Sequence, residues 1–368
     1  MKLEVPRTEG IKYAGSKLYL LPYILNLVRK VNPSSVFDGF SGTTRVSQAL
    51  ARLGYTVIAN DIAVWSEVFA TCYLLNRKPP SAYRELIEHL DNLPGKDGWF
   101  TEIYGGEENG GLAIQKDGLK RPWQIHNTRR LDAIREEIER LSLSKVEKAV
   151  ALTSLILALD EVDNTLGHYA SYLRYWSPRS YKKLRLRVPA LWENHQEHRV
   201  IRGNIFDLLK EVSCDLAYFD PPYGSDNNKM PPSRVRYASY YHLWTTVCLY
   251  DKPEVFGRAR RRIDTKDNGA TSVFEDFRRD GEGRFRVLNA LRTLLEQVRA
   301  RWVILSYSSA GRITPQEVYE LMSPLGQVTE ILKIHYKRHV MSSMSWTKEW
   351  SKEKNTPHQE FLFLLQKK

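Results

Sequence analysis

The sequence predicts an α/β protein with a doubly wound mixed sheet, and three observations support this fold class. A short strand over 35–38 leads into the glycine turn Asp38-Gly39-Phe40-Ser41-Gly42, which is followed by a helical pattern and a second strand over 56–61. Another apolar strand, 215–219, ends in Asp220-Pro221-Pro222-Tyr223. Between these two parts the chain shows helical periodicity and no strong strand. Strand, glycine turn, helix and strand in this order are typical of the opening of a parallel, doubly wound sheet.

Helices are predicted where apolar residues recur every three to four positions. The first covers 16–29, and the helix after the glycine turn runs from Val46 to Leu53, just before Gly54. Further helices are predicted at 65–75, 82–93, 131–141 and 146–159, and further strands at 199–202, 302–306, 328–336 and 360–365.

The predicted organisation is a catalytic domain formed by residues 1–63 and 195–368, interrupted by a helical insertion at 64–194. The segment 251–286 lies in the second part of the catalytic domain and is dense in charged residues. We therefore expect a mobile surface insertion there.

The composition is that of a folded protein. Of the 368 residues, 42% are hydrophobic and 11% aromatic, which excludes disordered and fibrous classes. The longest nearly apolar run, Ala149–Leu159, falls short of the ~20 residues needed to cross a bilayer. The segment MKLEVPRTEG lacks the apolar stretch of a secretory signal, so we expect a cytoplasmic protein.

No metal site or disulfide framework is expected. The three cysteines are widely separated and form no CxxC pair: Cys72, Cys214 and Cys248. His168, His195 and His198 have no cysteines or converging carboxylates around them in the sequence.

The charge balance favours a polyanionic partner. Fifty-five basic residues against 43 acidic ones give a formal net charge of +12 and an isoelectric point near 9.4. A balance of this kind is compatible with nucleic-acid binding, although many basic proteins bind none.

The tetrapeptide Asp220-Pro221-Pro222-Tyr223 is the sharpest chemical signal. It follows the carboxyl end of a predicted strand, which is where ligands bind in open α/β sheets. Because two prolines fix the backbone, the Asp220 carboxylate and the Pro221 carbonyl can converge on one amino group as two acceptors. The Tyr223 ring offers a flat face for stacking on a base. A proline-stiffened turn with Tyr223 in the core is the purely structural alternative.

The glycine turn points to a cofactor that contains a nucleoside. Glycines let a ligand approach the backbone closely, and Asp61, nineteen positions after Gly42, can accept hydrogen bonds from ribose hydroxyls. The turn lacks the GxGxxG spacing of a nicotinamide site. Asp38 would repel a pyrophosphate but could pair with an ammonium group, so S-adenosylmethionine fits better than a dinucleotide. A tight turn that needs glycine only for steric reasons is the alternative.

Two weaker motifs lie nearby. The run Lys12-Tyr13-Ala14-Gly15-Ser16-Lys17 precedes the first helix, where it could equally be a helix cap. Asn204, sixteen residues before Asp220, could bind the adenine amine of the cofactor while Ile205 covers the adenine ring.

Taken in order, KYAGSK, FDGFSG, an acidic strand end at Asp61, a long insertion and DPPY resemble the Dam-like, alpha-type N6-adenine DNA methyltransferases. The resemblance covers most of the chain, to the strand at 303–309 and the segment 336–343. It implies the methyltransferase type of doubly wound sheet, S-adenosylmethionine as cofactor, and double-stranded DNA as the partner that the helical insertion recognises. It also implies base flipping followed by direct displacement.

The same resemblance assigns site residues. The catalytic residues would be Asp220, Pro221, Pro222 and Tyr223. The cofactor would be lined by Tyr13, Lys17, Asp38, Gly39, Gly42, Asp61, Asn204 and Ile205. The sequence departs from the family where Asn204 replaces a frequent aspartate, Ile205 an occasional aromatic residue, and Tyr13 a frequent tryptophan.

Basic residues in the insertion and after DPPY are the candidate DNA contacts: Arg174, Arg179, Lys182, Lys183, Arg185, Arg187, Lys229, Arg234 and Arg236. A denser run, Arg258 to Arg262, lies in the segment expected to be mobile, so it could clamp DNA or have no role in binding.

The expected function is a site-specific adenine methyltransferase, as the modification enzyme of a restriction-modification system with a separate endonuclease. Three alternatives stay open at this point. They are a methyltransferase for RNA base amines, a catalytically silent nucleic-acid-binding module, and a nicotinamide-dependent dehydrogenase, the last disfavoured by the glycine pattern.

Overall fold

The computed structural model describes residues 5–223, 237–266, 272–335 and 359–368. The strands in these ranges are β1 (Ser35–Asp38), β2 (Thr56–Asp61), β3 (Gly105–Gly106), β4 (Trp123–Gln124), β5 (Arg199–Arg202), β6 (Ser213–Phe219), β7 (Val255–Phe256), β8 (Arg261–Arg262), β9 (Arg299–Ser308), β10 (Gly326–His335) and β11 (Gln359–Lys367). The α-helices are α1 (Leu21–Val31), α2 (Arg45–Arg52), α3 (Val64–Leu74), α4 (Arg84–Asp91), α5 (Trp99–Tyr104), α6 (Ile125–Arg140), α7 (Lys145–Glu161), α8 (Ile205–Leu208), α9 (Tyr237–Tyr240), α10 (His242–Leu249), α11 (Arg286–Gln297) and α12 (Pro315–Met322).

Seven strands form one sheet in the order β10-β11-β9-β6-β1-β2-β5. Neighbours are parallel except at β11, which is antiparallel to both β9 and β10. The chain moves outward from β1 through β2 to β5, then continues at β6 on the other side of β1. The strand order therefore reverses between β1 and β6, and open α/β sheets bind ligands at the carboxyl ends of strands at such a point. The predicted mixed α/β class with a mostly parallel sheet is confirmed.

The strand register brings three acidic residues to one edge of the sheet. Asp38, the last residue of β1, pairs with Ala59 of β2 and with Tyr218 of β6. Because these three strands are parallel, Asp61 and Asp220 come a short distance further along the same edge.

Apolar side chains alternate along the strands and divide between the two faces of the sheet. Val36 packs on one face with α1 and α2, while Phe37 packs on the other with α8, α11 and α12. Helix α1 begins at Leu21, five residues later than predicted, with Pro22 in its first turn, and it ends at Asn32 in the left-handed region. Proline is favoured in a first turn because that position needs no backbone N–H donor.

A second apolar cluster belongs to a helical body beside the sheet. It contains buried residues of α3 to α7, including Trp123 between β3 and α6, and it extends to Leu243 and Trp244 of α10. Two helices pack differently from the predicted division into a catalytic domain and a helical insertion, whose boundaries were placed at 64 and 195. Helix α3 also packs on the sheet through Ala70 and Leu74. Helix α10 joins the helical body, because its apolar residues face that cluster rather than the sheet.

The charged segment 251–286 was expected to be a mobile surface insertion, but some of its described residues are buried. Arg262 is only 5% exposed and forms ion pairs with Asp251 and Asp264. Phe274 is buried against Phe40, with ring centroids 5.3 Å apart. Several of its charges pair within the segment, and Phe274 anchors it to the core.

Candidate active site

A cavity of about 970 Å³ opens at the carboxyl ends of β1 and β6, where the strand order reverses. Its walls come from the glycine turn, the end of β2, the start of α8, the DPPY turn, α9 and the start of β11. Every residue predicted for catalysis or cofactor binding lines it: Tyr13, Lys17, Asp38, Gly39, Gly42, Asp61, Asn204, Ile205, Asp220, Pro221, Pro222 and Tyr223. The fold thus brings motifs more than 200 positions apart in sequence to one site.

Asp220 is anchored through one of its two carboxylate oxygens. Its Oδ1 atom forms an ion pair with Lys17 Nζ at 2.9 Å and accepts a hydrogen bond from the Tyr223 hydroxyl. Its Oδ2 atom accepts no hydrogen bond from the described residues. The side chain of Asp220 is 15% exposed, and it lines the cavity. One oxygen thus fixes the carboxylate and the other is left for a donor.

Lys17 lines the cavity beside Asp220. It was expected to line the methionine or ribose part of a cofactor, and its ammonium group contacts Asp220 and donates to the Tyr223 hydroxyl at 2.8 Å. The side chain is 7% exposed. A buried lysine needs an anionic partner, and Asp220 supplies one.

The Tyr223 hydroxyl joins several polar groups, which we call the Tyr223 cluster: Lys17, Asp220, Tyr223, Ser306 and Glu360. The hydroxyl lies 2.9 Å from Ser306 Oγ and 3.3 Å from Glu360 Oε2. The ring packs against Tyr307 at a centroid distance of 5.0 Å. Tyr223 is therefore fixed at both its ring and its hydroxyl.

Asp38 is also anchored through one oxygen. Ser47 Oγ donates to Asp38 Oδ2, while Oδ1 is buried and has no hydrogen-bond partner among the described residues. Asp38 Oδ1 thus lies where a ligand's donor would satisfy it, since buried polar atoms are nearly always paired.

The glycine turn between β1 and α2 is held by short contacts. Gly39 N–H donates to Tyr218 O at 3.0 Å, which ties the end of β1 to β6. A Cβ at Gly39 would lie 2.7 Å from the Phe219 ring, so only glycine fits without displacement. Gly42 has φ +47° and its N–H donates to Asp61 Oδ2 at 2.9 Å. Asp61 Oδ1 accepts a second backbone bond from Ala63.

Burial raises the pKa of the three strand-end carboxyl groups. For Asp38 the pKa rises to about 7, chiefly through desolvation, with Ser47 opposing the shift and the charges of Asp220 and Asp61 adding to it. Burial also raises the pKa of Asp61, opposed by backbone donors. Burial raises that of Asp220 too, but there Lys17 opposes the shift.

Tyr13 lies in an aromatic wall at one side of the cavity. Its ring centroid is 4.8 Å from that of Tyr241, 5.5 Å from that of Tyr237 and 5.7 Å from that of Trp65. The Tyr237 hydroxyl donates to Ala14 O, and the Tyr241 hydroxyl accepts from Ala14 N. Sequence reasoning missed these partners, because they lie in helices far along the chain.

Asn204 and Ile205 occupy the start of α8. The Asn204 side chain accepts from Phe206 N–H and caps the helix. Ile205 is 4% exposed and belongs to the core under the glycine turn, so little of it is left to cover a ligand ring. By contrast Ile62, which sequence reasoning missed, is 73% exposed and lines the cavity directly after Asp61.

Other lining residues were also missed. Glu360 is the second residue of β11, and Glu275 follows Phe274 in the charged segment. An acidic residue opening an otherwise apolar strand was a visible signal for Glu360. The sequence does not place Glu360 at the cavity, because that requires knowing that β11 runs antiparallel to β9. In that arrangement the first residues of β11 lie beside the last residues of β9.

The residues present fit S-adenosylmethionine. The orphaned Asp38 oxygen suits an ammonium donor, and Asp61 lies at the end of the neighbouring strand, as an acceptor for ribose hydroxyls requires. The exposed Ile62 offers an apolar surface next to Asp61 for a purine ring.

A family model described as D12 class N6 adenine-specific DNA methyltransferase matches residues 13–274. The matched range is more than half of the chain and contains the glycine turn, Asp61 and the DPPY turn. The chain belongs to the D12 class of N6 adenine-specific DNA methyltransferases. The family expected from the motifs is therefore confirmed.

Relatives of this D12-class chain are named as modification methylases or type II methyltransferases. The chain is 29% identical over 377 residues to modification methylase StsI of Streptococcus sanguinis, an alignment that covers 97% of this chain and 52% of that protein. It is 26% identical over 379 residues to type II methyltransferase M.FokI of Planomicrobium okeanokoites, covering 97% and 53%. It is 25% identical over 338 residues to type II methyltransferase M.NlaIII of Neisseria lactamica, covering 89% and 92%. The chain thus spans about half the length of the first two.

The basic residues predicted as DNA contacts of the D12-class chain differ in their exposure and in their ion pairs. Arg174, Lys182 and Lys183 are exposed, and the Arg174 guanidinium lies 5.7 Å from the centre of the Tyr175 ring. Arg185 is 61% exposed but pairs with Asp91 at 3.1 Å. Lys229, Arg234 and Arg236 lie outside the described residues.

Two of the predicted DNA contacts pair with carboxylates of the protein. Arg179 pairs with the buried Asp163, and Arg187 pairs with Glu9 at 2.5 Å. Their guanidinium groups are thus engaged by Asp163 and Glu9, while 30% of the Arg179 side chain and 49% of the Arg187 side chain stay exposed. In the Arg258–Arg262 run, Arg260 pairs with Asp117 and Arg262 with Asp251.

Within the described ranges no cluster of three histidine, cysteine or carboxylate side chains has the arrangement of a metal site. In the same ranges, none of the helices combines the length and the apolar character that a bilayer span requires.

Proposed function

We propose that this chain is a site-specific DNA methyltransferase that transfers a methyl group from S-adenosylmethionine to N6 of adenine in double-stranded DNA. The observation that carries the proposal is the anchored carboxylate of Asp220, whose Oδ2 atom is left for a donor in a cavity that also contains the glycine turn. We further propose that it is the modification enzyme of a restriction-modification system, in keeping with the names of its relatives.

The cofactor half of the cavity would be formed by β1, β2 and their following turns. Asp38 Oδ1 would accept from the ammonium group, Asp61 from the ribose hydroxyls, and Ile62 would contact the purine ring. When bound, S-adenosylmethionine supplies a methyl group already activated by its positive sulfur. The protein therefore has to position the groups rather than activate the donor, and positioning is worth on the order of 7–11 kcal/mol.

The adenine half would be formed by the DPPY turn. Asp220 Oδ2 and the Pro221 carbonyl would accept the two hydrogens of the adenine amine, which concentrates its lone pair on nitrogen. Lys17 holds the Asp220 carboxylate in place and opposes the rise of its pKa that burial causes. The Tyr223 ring would supply the stacking face, worth about 1–3 kcal/mol per base.

Adenine reaches such a site only outside the duplex. Flipping a base costs a few kcal/mol, which phosphate contacts and stacking in the pocket can offset. The helical body and the exposed Arg174, Lys182 and Lys183 would supply part of the phosphate contacts. The division of the chain into a catalytic sheet and a DNA-recognising helical insertion belongs to the same proposal.

The test is methyl transfer from labelled S-adenosylmethionine to duplex DNA, with structured RNA as a second substrate. The wild-type chain should label DNA at N6 of adenine, and Asp220→Ala should lose at least about 100-fold in turnover, as expected for removing a group aimed at the reacting atom. Asp97→Asn, a change at an exposed carboxylate 72% accessible, is the matched control and should keep full activity. Labelling of RNA alone, or near-native turnover by Asp220→Ala, would refute the assignment.

A further inference from the structure

The Tyr223 cluster contains a charge arrangement that the proposed reaction does not by itself explain. Lys17 Nζ lies 2.9 Å from Asp220 Oδ1, next to the oxygen that would accept from the adenine amine. When the amine attacks a methyl group, its nitrogen carries a positive charge until a proton leaves. A buried cation beside that nitrogen opposes the charge, because the low dielectric of a buried site strengthens repulsion between like charges.

Glu360 offers the compensating charge. Its Oε2 atom lies 3.3 Å from the Tyr223 hydroxyl, and that hydroxyl also contacts Lys17 and Asp220. Glu360 is held at the cavity by its place opposite Ser308 in the pairing of β11 with β9. With both carboxyl groups ionised, the positive charge of Lys17 faces two negative charges, and Glu360 supplies the second.

The hydrogen bonds of the Tyr223 hydroxyl also involve Glu360. The Tyr223 hydroxyl has one hydrogen, and two carboxylates, Asp220 and Glu360, lie within reach of it. Once Asp220 accepts from a base amine it becomes a weaker acceptor, and rotation of the hydroxyl hydrogen toward Glu360 keeps Tyr223 bonded. Glu360 can thus hold the Tyr223 ring while Asp220 is engaged elsewhere.

We propose that Glu360 is a positioning residue of the methyl-transfer site, whose carboxylate offsets Lys17 and serves as the second acceptor for Tyr223. This inference rests on the proposed function. The charged and titratable groups around Glu360 in the described part of the chain include those of the Tyr223 cluster, Tyr218 and Tyr237. Burial raises the pKa of both tyrosines, and the carboxylates of Asp220 and Glu360 raise it further. Burial raises the pKa of Glu360 itself, opposed by Lys17.

The experiment measures single-turnover methyl transfer to DNA, together with the Kd values for cofactor and DNA. Glu360→Gln keeps the shape and an acceptor oxygen but removes the charge, and the rate of transfer should fall about 10- to 100-fold while both Kd values stay within about 2-fold. Glu330→Gln, on the neighbouring edge strand and paired with Lys30 outside the cavity, is the matched control and should transfer at the wild-type rate.

Two further variants separate charge from shape. Glu360→Asp keeps the charge and should recover most of the rate that Glu360→Gln loses. The double variant Lys17→Met/Glu360→Gln should be faster than the product of the two single losses predicts, because removing both charges restores the net charge of the Tyr223 cluster.

The outcomes distinguish this inference from the proposed function. If the wild-type chain does not methylate DNA, the proposed function fails. If it does, and Glu360→Gln transfers at the wild-type rate with an unchanged melting temperature, only the role of Glu360 is overturned. Strictly multiplicative losses in the double variant, or an equal loss in Glu360→Asp, would also overturn it.

Discussion

Asp38 and Asp220 are buried carboxylates at the ends of neighbouring strands, and they differ in the group that holds each of them in place. Asp38 and Asp220 each fix one oxygen and leave the other to a ligand, but Asp38 is held by the neutral hydroxyl of Ser47 and Asp220 by the ammonium of Lys17. Asp38, with no cation of its own, has a pKa raised to about 7. A carboxylate of that kind suits a ligand that brings a positive charge. Asp220 carries its own cation, so it can stay ionised while it accepts from a neutral amine.

The largest effect on turnover that bears on the comparison of Asp38 with Asp220 is expected for Lys17→Met. Loss of the cation leaves Asp220 buried without its counter-charge, so its pKa rises further and the ionised form requires a higher pH. Turnover near neutral pH should fall about 10- to 100-fold, and the acid limb of the kcat profile should move to higher pH.

The control for this change is Lys30→Met, which removes a half-exposed surface lysine paired with Glu330 and should leave the profile in place. An unshifted acid limb in Lys17→Met would show that Asp220 does not depend on its cation.

The second effect concerns Asp38 and the pH dependence of cofactor binding. Because its folded pKa lies above that of an unfolded aspartate, Asp38 stabilises the free protein at low pH, and this contribution is lost as pH rises through about 7. A ligand ammonium relieves that loss. Cofactor should therefore raise the melting temperature more at about pH 8 than at about pH 6, and Asp38→Asn should flatten the difference.

Differential scanning fluorimetry with and without S-adenosylmethionine measures this difference across pH. A cofactor-induced shift that is independent of pH in the wild-type chain would contradict the role given to Asp38.

A smaller effect is expected at Gly39, which fixes the spacing of the two strand ends through its bond to Tyr218. In Gly39→Ala the new Cβ would lie 2.7 Å from the Phe219 ring, and overpacking of this kind costs about 1–3 kcal/mol. Gly281→Ala, where a Cβ meets nothing within 4 Å, should change the free energy of unfolding by less than about 0.5 kcal/mol. Urea unfolding of both variants measures the difference, and equal stabilities would show that the turn can relax.

The smallest effect is expected for the salt dependence of DNA binding, when a surface lysine without an ion pair in the described part of the chain is compared with a paired surface arginine. Lys182→Ala should reduce the log-log salt slope of DNA binding by about 0.9, as expected for one lost phosphate contact. Arg187→Ala should leave the slope unchanged, because Glu9 occupies that guanidinium. Equal slopes in the two variants, measured by fluorescence anisotropy, would remove Lys182 from the interface.

Much of the site could be predicted because its residues lie in local motifs. The glycine turn and the DPPY turn each follow an apolar strand, so the sequence indicates both the strand ends and the sheet edge that they share. The sequence did not reveal which groups contact each other there. Lys17 was expected beside a cofactor, and only the folded chain shows it on Asp220.

The features that were missed depend on long-range packing. Glu360 reaches the cavity because β11 is antiparallel, and no local pattern reports strand direction. The charge-dense segment 251–286 was expected to be a mobile surface insertion because its charged residues were considered without their partners, whereas Arg262 is buried and pairs with Asp251 and Asp264. In the same way, the sequence does not show that Arg179 pairs with Asp163 and Arg187 with Glu9.

The most direct test compares cofactor binding and turnover in Asp38→Asn and Asp220→Asn. Isothermal titration calorimetry should show that Asp38→Asn weakens S-adenosylmethionine binding by about 10-fold or more, as for loss of a charge-assisted hydrogen bond. Asp220→Asn should bind the cofactor with nearly the wild-type Kd and lose methyl transfer to adenine. Equal loss of cofactor binding in both variants, or methyl transfer that survives in Asp220→Asn, would contradict the division of the cavity into a cofactor half and an adenine half.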